Sequence, residues 1–301
     1  MSKFKSLLYL PLWFFKAKFL GKRSPLQTVI FISDRCNLKC KHCSIYARGA
    51  VNTKSYEQIR EELEYSYREG SRFVDFEGGE PTMWNDGEGR DLNNLIRLAK
   101  EIGFFSATVT TNAVMPFKES EADSIWVSLD GLGEYHDAIR GKGVFDRLVR
   151  NIEESGHKEL SVNMVVNNIN YASLDETIEF VKNNPHIKSI SINFHTPYEG
   201  TEELMLDWDK RIESIDKIIA YKRKGYPIMN SVSGLKLMKH NKFKKYCWVS
   251  NFILVDGTRL EECAGSVAGV CDRCGFCMAG EMHSVMTLKP DTIFAGLKLR
   301  V

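Results

Sequence analysis

The sequence predicts an α/β fold built on six parallel strands, with a small cysteine-rich unit at its C-terminal end. Three observations carry that expectation. Short runs rich in β-branched and apolar residues recur between residues 27 and 194, each followed by a helical or loop crossover, which is the pattern of parallel strands with helices outside. Helix-opening and helix-closing residues fall between those runs. All eight cysteines lie in two groups, residues 36–43 and 247–277, at metal-ligand rather than disulfide spacing.

The elements follow in order. Residues 27–33 (QTVIFIS) form a buried strand. Ser55-x-x-Gln58 is a capping box that opens a helix, and Gly70 closes it. A second strand is expected at 72–76, a helix at 91–101 ending before Gly103, and strands at 105–110 and 125–129. A helix at 145–154 precedes the fifth strand at 160–166. Ser173-x-x-Glu176 caps the next helix, and the sixth strand covers 188–194. A helix at 209–223 is followed by Gly225, Pro227 and Gly234, which mark a bridge over residues 201–245, and the cysteine-rich unit runs from 246 to 301. There is no internal repeat or low-complexity tract. A curved, partial (β/α)6 barrel and a flat doubly wound sheet both fit this count.

A chain of 301 residues accommodates one sizeable α/β domain and an appendage, and 43% apolar with 27% charged residues is ordinary for a soluble globular protein. The net charge of +2 gives no ground for expecting a nucleic-acid partner. Grouped cysteines place the protein in a reducing, cytoplasmic compartment. Residues 1–26 stand apart. Lys3, Lys5, Lys16, Lys18, Lys22 and Arg23 flank the apolar run 7–15, and no acid appears before Asp34. The uncharged stretch is far shorter than the ~20 residues a membrane span needs. With Trp13, Phe14, Phe15 and Phe19 it has the composition of an interfacial helix, which predicts peripheral membrane contact through residues 3–23. The alternative is a helix that caps the barrel bottom or packs on a partner subunit.

Cys36-x3-Cys40-x2-Cys43 sits in the loop after the first strand, where parallel α/β folds place functional residues. Three thiolates fill three irons of a cubane and leave the fourth free to chelate a small molecule. Zinc is the alternative, with His42 as fourth ligand. Gly78-Gly79-Glu80-Pro81 follows the second strand. Its glycines permit close backbone approach, and the Glu80 carboxylate suits an ammonium group. Thr110-Thr111-Asn112 ends the third strand and Ser128-Leu129-Asp130-Gly131 the fourth, followed by Gly133-x2-His136-Asp137-x2-Arg140-Gly141.

These motifs, arriving in order at successive strand ends, resemble the radical S-adenosylmethionine (SAM) superfamily. The resemblance covers about residues 27–200 and implies a partial (β/α)6 TIM-like barrel with a [4Fe-4S] cluster on Cys36, Cys40 and Cys43. It implies that SAM chelates the open iron and is cleaved reductively, with electrons from a donor such as flavodoxin or ferredoxin, to a 5′-deoxyadenosyl radical. It also implies roles for single residues. His42 would lie near the adenine, and Gly78, Gly79, Glu80 and Pro81 at the SAM amino group. Thr111, Asn112, Ser128 and Asp130 would meet the ribose and methionine, and Arg140 the carboxylate. Asn163 and His195 lie where ribose or substrate contacts fall, or are ordinary strand-end hydrogen-bonding residues. His136 and Asp137 also fit the start of a helix.

Cys247-x9-Gly257-x5-Cys263 resembles the opening of a SPASM or Twitch auxiliary-cluster domain, one residue longer than usual before the second cysteine. Cys271-x2-Cys274-x2-Cys277 departs further from the full SPASM pattern. Five cysteines suffice for one auxiliary cluster with one thiol spare; a structural zinc site is the alternative. Either metal would stabilise a C-terminal unit too small for its own core. The basic aromatic N-terminal segment, residues 128–137 (SLDGLGEYHD), and the continuation into Ala279-Gly280-Glu281 resemble the hopanoid-biosynthesis group. That resemblance implies chemistry on an unactivated C–H bond or alkene of a lipid, isoprenoid or other hydrophobic substrate. The competing readings are a SPASM/Twitch-type peptide or protein maturase, and a non-catalytic metal-binding or electron-carrier protein.

Overall fold

The computed structural model describes residues 2–43 and 51–300, with side chains over 5–43 and 51–297; Lys3 lies outside the latter. Six parallel strands are arranged in sequence order: β1 (Gln27–Phe31), β2 (Phe73–Glu77), β3 (Ser106–Thr111), β4 (Ser124–Ser128), β5 (Leu160–Val166) and β6 (Ile190–Phe194). Each connection moves one strand further in the same direction, so right-handed crossovers put all their helices on one face. These helices include α2 (Tyr56–Glu69), α3 (Leu92–Ile102), α4 (Glu134–Arg140), α5 (Val144–Ser155) and α6 (Leu174–Asn183).

Burial along the strands decides between barrel and doubly wound sheet. Ile30, Phe76, Val109, Ile125, Val162 and Ile192 are fully buried in one core with the helices. Their neighbours of opposite pleat, among them Phe31, Asp75, Thr110, Trp126, Asn163 and Ser191, are only half-buried. A doubly wound sheet would be covered on both faces. One covered face and one partly accessible face of mixed polarity belong to a sheet curled into a partial barrel, and the second face lines its lumen.

The local signals act as expected at α2, where Ser55 and Gln58 form the reciprocal capping box and Gly70 takes φ 117°. Asp91 caps α3 in the same way. Ser173 differs. Its hydroxyl accepts from the Leu132 N–H, at the end of the loop after β4, instead of capping α6.

The cysteine-rich unit is more integrated than its size suggested. β7 (Ser250–Ile253) pairs in parallel with β1, and β8 (Arg259–Leu260) returns antiparallel to it, so the sheet has eight strands. After α7 (Trp208–Arg223), α8 (Val232–Met238) and α9 (Ala264–Val267), α10 (Met278–Met286) crosses α8 at very close range. A Cβ on Gly280 would lie 2.6 Å from the Gly234 carbonyl oxygen, and one on Gly234 would lie 2.5 Å from the Glu281 carboxylate. Gly234 is therefore a packing residue inside a helix. Cys277 belongs to the main core, so the unit is joined to that core. α11 (Pro290–Arg300) ends the chain's secondary structure.

α1 (Ser2–Phe19) lies across the N-terminal ends of β1, β2 and β3. The Tyr9 hydroxyl donates to the Gly70 carbonyl at 2.6 Å and its ring meets Phe105 edge-on. The Trp13 indole donates to the Ser24 carbonyl at 2.8 Å, and Trp13 packs with Val249, Met282 and Met286. The helix thus caps the barrel floor. Among the described residues, no helix is long and apolar enough to cross a membrane.

Candidate active site

The strand ends opposite α1 carry the cysteine loop. Its position is set by Gly78 and Gly79, just past β2. The Gly79 N–H donates to the Ser33 carbonyl at 2.6 Å, and the Glu80 N–H to the Arg35 carbonyl at 2.8 Å. A Cβ on Gly78 would sit 2.4 Å from the Ser33 oxygen, and one on Gly79 2.3 Å from the Arg35 oxygen. Only glycine allows β2 to hold the loop this closely.

Above it lies a cavity of about 240 Å3, lined by Cys36, Cys40, His42, Cys43, Glu77, Gly78, Gly79, Thr111, Asn112, Ser128 and Arg140. The three thiols are half-buried. Burial pushes Cys36 up, and Cys40 up to about 11, with the Arg140 guanidinium opposing the shift at Cys40. Arg140 Nη1 lies 3.9 Å from Cys40 Sγ, while its Nε donates to buried Asp130 at 2.7 Å. Asn112 donates to Asn37 Oδ1 at 2.7 Å and lies 3.8 Å from Cys36 Sγ. The site therefore supplies positive charge and donors to sulfur, which is what thiolate ligands require.

Glu80 sits behind the glycine turn, with its carboxylate engaged by neighbouring protein groups. It is 1% exposed. Its Oε1 accepts from the Thr111 hydroxyl at 2.7 Å and from Thr82, and its Oε2 accepts from the Asn112 N–H at 2.7 Å. Both oxygens are engaged inside the protein, so Glu80 ties the ends of β2 and β3 together, and Pro81 starts a short turn beside it. Asp130 likewise faces inward, accepting from Arg140 and from the Val165 N–H at 2.9 Å. His136 Nδ1 accepts from the Asp130 N–H. Burial lowers the His136 pKa to about 4, so the ring is neutral with its proton on Nε2. Asp137 accepts from the Gly143 and Phe145 N–H groups at the start of α5.

The residues present fit a SAM-binding cluster on three counts. Three thiols of one loop surround one cavity, an arginine faces them, and a buried polar atom there, His42 Nδ1, has no hydrogen-bond partner among the described residues. Burial lowers the His42 pKa to about 4, leaving a neutral ring with a free nitrogen.

Below the cavity the lumen carries a row of polar side chains among apolar ones such as Phe31 and Trp126. The Thr110 hydroxyl donates to Asp75 at 3.3 Å, Thr108 and Ser124 are 3.0 Å apart, and Asn193 donates to Asn163 at 2.8 Å. Glu77 shares the strand face of Asp75; burial first, then the Asp75 charge, pushes its carboxyl up. Asn163 therefore points to Asn193, and His195 bonds the Thr201 carbonyl and hydroxyl at 3.0 Å as a strand-end residue. Asp75, Glu77 and Asn37 are absent from the sequence-derived set. Alternation along FVDFE on β2 is the signal that points to the two acids; Asn37 has none.

In the second cysteine group, Cys263, Cys271 and Cys274 act on Cys247, while Cys277 lies deeper in the core beside Cys274. Cys247 and Cys263 share a hydrogen bond that lowers Cys263 and raises Cys247. The charges of Cys274 and Cys271 act on Cys247 as well. The Tyr198 hydroxyl, raised to about 12 by burial, feels Cys263, Cys274 and Cys271. Cys277 is 1% exposed, and burial raises its thiol; the charges it meets are Arg211, Glu281 and Cys274. Arg211 is itself buried, stacked against Phe194 and Trp208, and donates to the Cys274 carbonyl at 2.9 Å and the Met238 carbonyl at 3.1 Å. Among the described residues, no three His, Cys, Asp or Glu side chains close on a single-ion site.

The Radical SAM superfamily model matches residues 30–181. Fe-coproporphyrin III synthase of Methanosarcina barkeri is 30% identical over 240 residues, covering 70% of this chain and 58% of that protein. Mycofactocin maturase MftC of Mycolicibacterium smegmatis is 28% identical over 162 residues, covering 52% and 41%. The structure of Streptococcus suis SuiB bound to precursor peptide SuiA superposes with a TM-score of 0.64 at 19% identity, over 82% of this chain and 61% of that one. The chain thus spans less than two thirds of the length of these relatives. With the cysteine loop, the glycine turn and Arg140 gathered around one cavity at the strand ends, and with that family model spanning half of its residues, the chain belongs to the radical SAM superfamily.

Proposed function

We propose that this radical SAM enzyme acts on a polar substrate of the peptide or protein class, bound along the barrel lumen beneath the SAM site. The row of polar side chains in the lumen carries this reading. Asp75, Glu77, Thr110, Ser128, Asn163 and Asn193 present carboxylates, hydroxyls and amides where a substrate has to lie. These groups already bond one another in part, and an isoprenoid chain would leave their remaining hydrogen-bonding capacity unused, at about 1–3 kcal/mol for each group left unpaired. A peptide backbone and polar side chains satisfy them. The names of the relatives agree with a polar substrate: a maturase, a coproporphyrin synthase and a GTP cyclase. SuiB, whose fold this chain shares, is seen with a precursor peptide.

When bound, a [4Fe-4S] cluster and SAM supply the 5′-deoxyadenosyl radical that this superfamily uses. The protein's part is to hold them. Cys36, Cys40 and Cys43 would ligate the cluster, and Arg140 would balance its thiolate charge. The Gly78–Gly79 backbone and His42 would face SAM, with Ser128 and Asn112 beside it, while Glu80, Thr111 and Asp130 brace the site from behind. Cys247, Cys263, Cys271 and Cys274 would hold one auxiliary cluster, leaving Cys277 as the spare thiol in the core.

The test is substrate-stimulated SAM cleavage by the anaerobically reconstituted enzyme. A cell-derived peptide pool is expected to raise 5′-deoxyadenosine release above the uncoupled rate, and Asn163→Leu to lower that stimulation. Stimulation by a lipid extract alone would contradict the reading.

A further inference from the structure

We propose that the outward face of α1 is a docking surface for an anionic phospholipid bilayer, holding the enzyme with its active-site mouth turned away from the membrane. The inference is independent of the substrate class. α1 is apolar around most of its circumference, and such a helix is normally buried on all sides. Here only one side is covered, by Tyr9, Trp13 and Ala17 packing toward the barrel floor. Leu8, Leu12, Phe15 and Phe19 recur at intervals of four, three and four residues and so form one continuous stripe, and all four are at least 50% exposed.

The charge around that stripe chooses the occupant. Lys5 and Lys16 border one side, and Lys22 and Arg23 follow the helix end; all four are exposed. No acid occurs before Asp34, and among the described residues none of these four forms an ion pair. A second protein would need acids matched to scattered, exposed lysines. An anionic bilayer offers an apolar layer for the stripe and a plane of negative charge for its rim, whatever the detailed positions.

The fold fixes the orientation. α1 touches Ser24, Gly70 and Phe105, each just before a strand begins. The cysteine loop and the Gly78–Gly79 turn lie just after the same strands end. The two sites are separated by a strand length, about 17–20 Å. Bilayer contact at α1 thus leaves the cavity open to the aqueous side, so α1 works as an anchor and not as an entry path for lipid.

Flotation of the full chain with vesicles tests this. About tenfold more protein is expected to float with phosphatidylcholine vesicles containing phosphatidylglycerol than with phosphatidylcholine alone, and raised salt should weaken the binding. The double variant Phe15→Glu, Phe19→Glu should lose flotation while still cleaving SAM at the unaltered rate, because neither residue touches the cavity. Failure to float with anionic vesicles would overturn the proposal, as would flotation that the double variant retains. Self-association abolished by the same variant, in the absence of flotation, would assign the stripe to a second copy instead.

Discussion

Around the cavity, the buried carboxylate of Glu80 receives donors from three residues of two different segments. Replacing it with alanine leaves the Thr111 hydroxyl and the Asn112 N–H unpaired, at an expected cost of about 2–4 kcal/mol. The readout is urea unfolding of the apoprotein. A side chain whose whole role was to touch SAM would leave apoprotein stability unchanged, so an unaltered midpoint for Glu80→Ala contradicts the bracing role. Arg211 gives a second residue-level expectation. A buried guanidinium with only carbonyl oxygens, aromatic faces and cysteine sulfurs around it needs nearby negative charge, which a thiolate-ligated cluster supplies. Arg211→Met should lower the reduction potential of the auxiliary cluster by tens of millivolts, and Arg211→Lys should lower it less. An unchanged potential in a redox titration followed by electron paramagnetic resonance would refute this. The cysteines, Gly78, Gly79 and Arg140 were legible in sequence because their chemistry depends on residue type and local spacing. Arg211 was not, since nothing in a helix sequence marks which arginine the fold will bury, and Glu80's inward turn depends on donors 31 and 32 residues away.

Among the elements, α10 shows how the cysteine-rich unit is held. Its Glu281 carboxyl accepts from the Ser231 N–H at 2.8 Å, and burial raises its pKa to about 7. A folded-state pKa above the unfolded value favours the protonated folded form. The stability it contributes is full below the ordinary carboxylate range and is lost as pH rises toward 7, a change on the order of 3 kcal/mol. Glu281→Gln should flatten the fall in stability between pH 5 and pH 8 in denaturant titrations; an unchanged slope would show that Glu281 does not titrate in that window. The six core strands were readable from β-branched runs with turn residues between them, and α2 from its capping box. β7 was not. SNFI is four residues long, and its partner β1 lies more than two hundred residues earlier, so no local pattern announces the pairing. The role of Gly234 was hidden for a related reason, because the close approach of α10 that requires a glycine there comes from residues more than forty positions later.

For the whole molecule, curvature followed from topology. Sequential strand order puts the helices on one side, and the uncovered side becomes a lumen of mixed polarity that ends at the cysteine loop. α1 closes the opposite end. The strand count left the barrel and the doubly wound sheet open, since it does not reveal neighbour order; the ordered motifs, through the family they resemble, pointed to the barrel. The composition of residues 1–26 was legible, but not its division into a packed face and a free one. The central claim is that one chain holds a SAM-binding cluster at Cys36, Cys40 and Cys43 and a separate cluster at Cys247, Cys263, Cys271 and Cys274. Anaerobic reconstitution with iron and sulfide counting, coupled to a SAM-cleavage assay, measures it most directly. The account predicts about eight irons per chain and 5′-deoxyadenosine release under reductant. Cys40→Ala should abolish cleavage, and Cys277→Ser should leave the iron count unchanged. Zinc without iron or sulfide, or a loss of about four irons in Cys277→Ser, would contradict it.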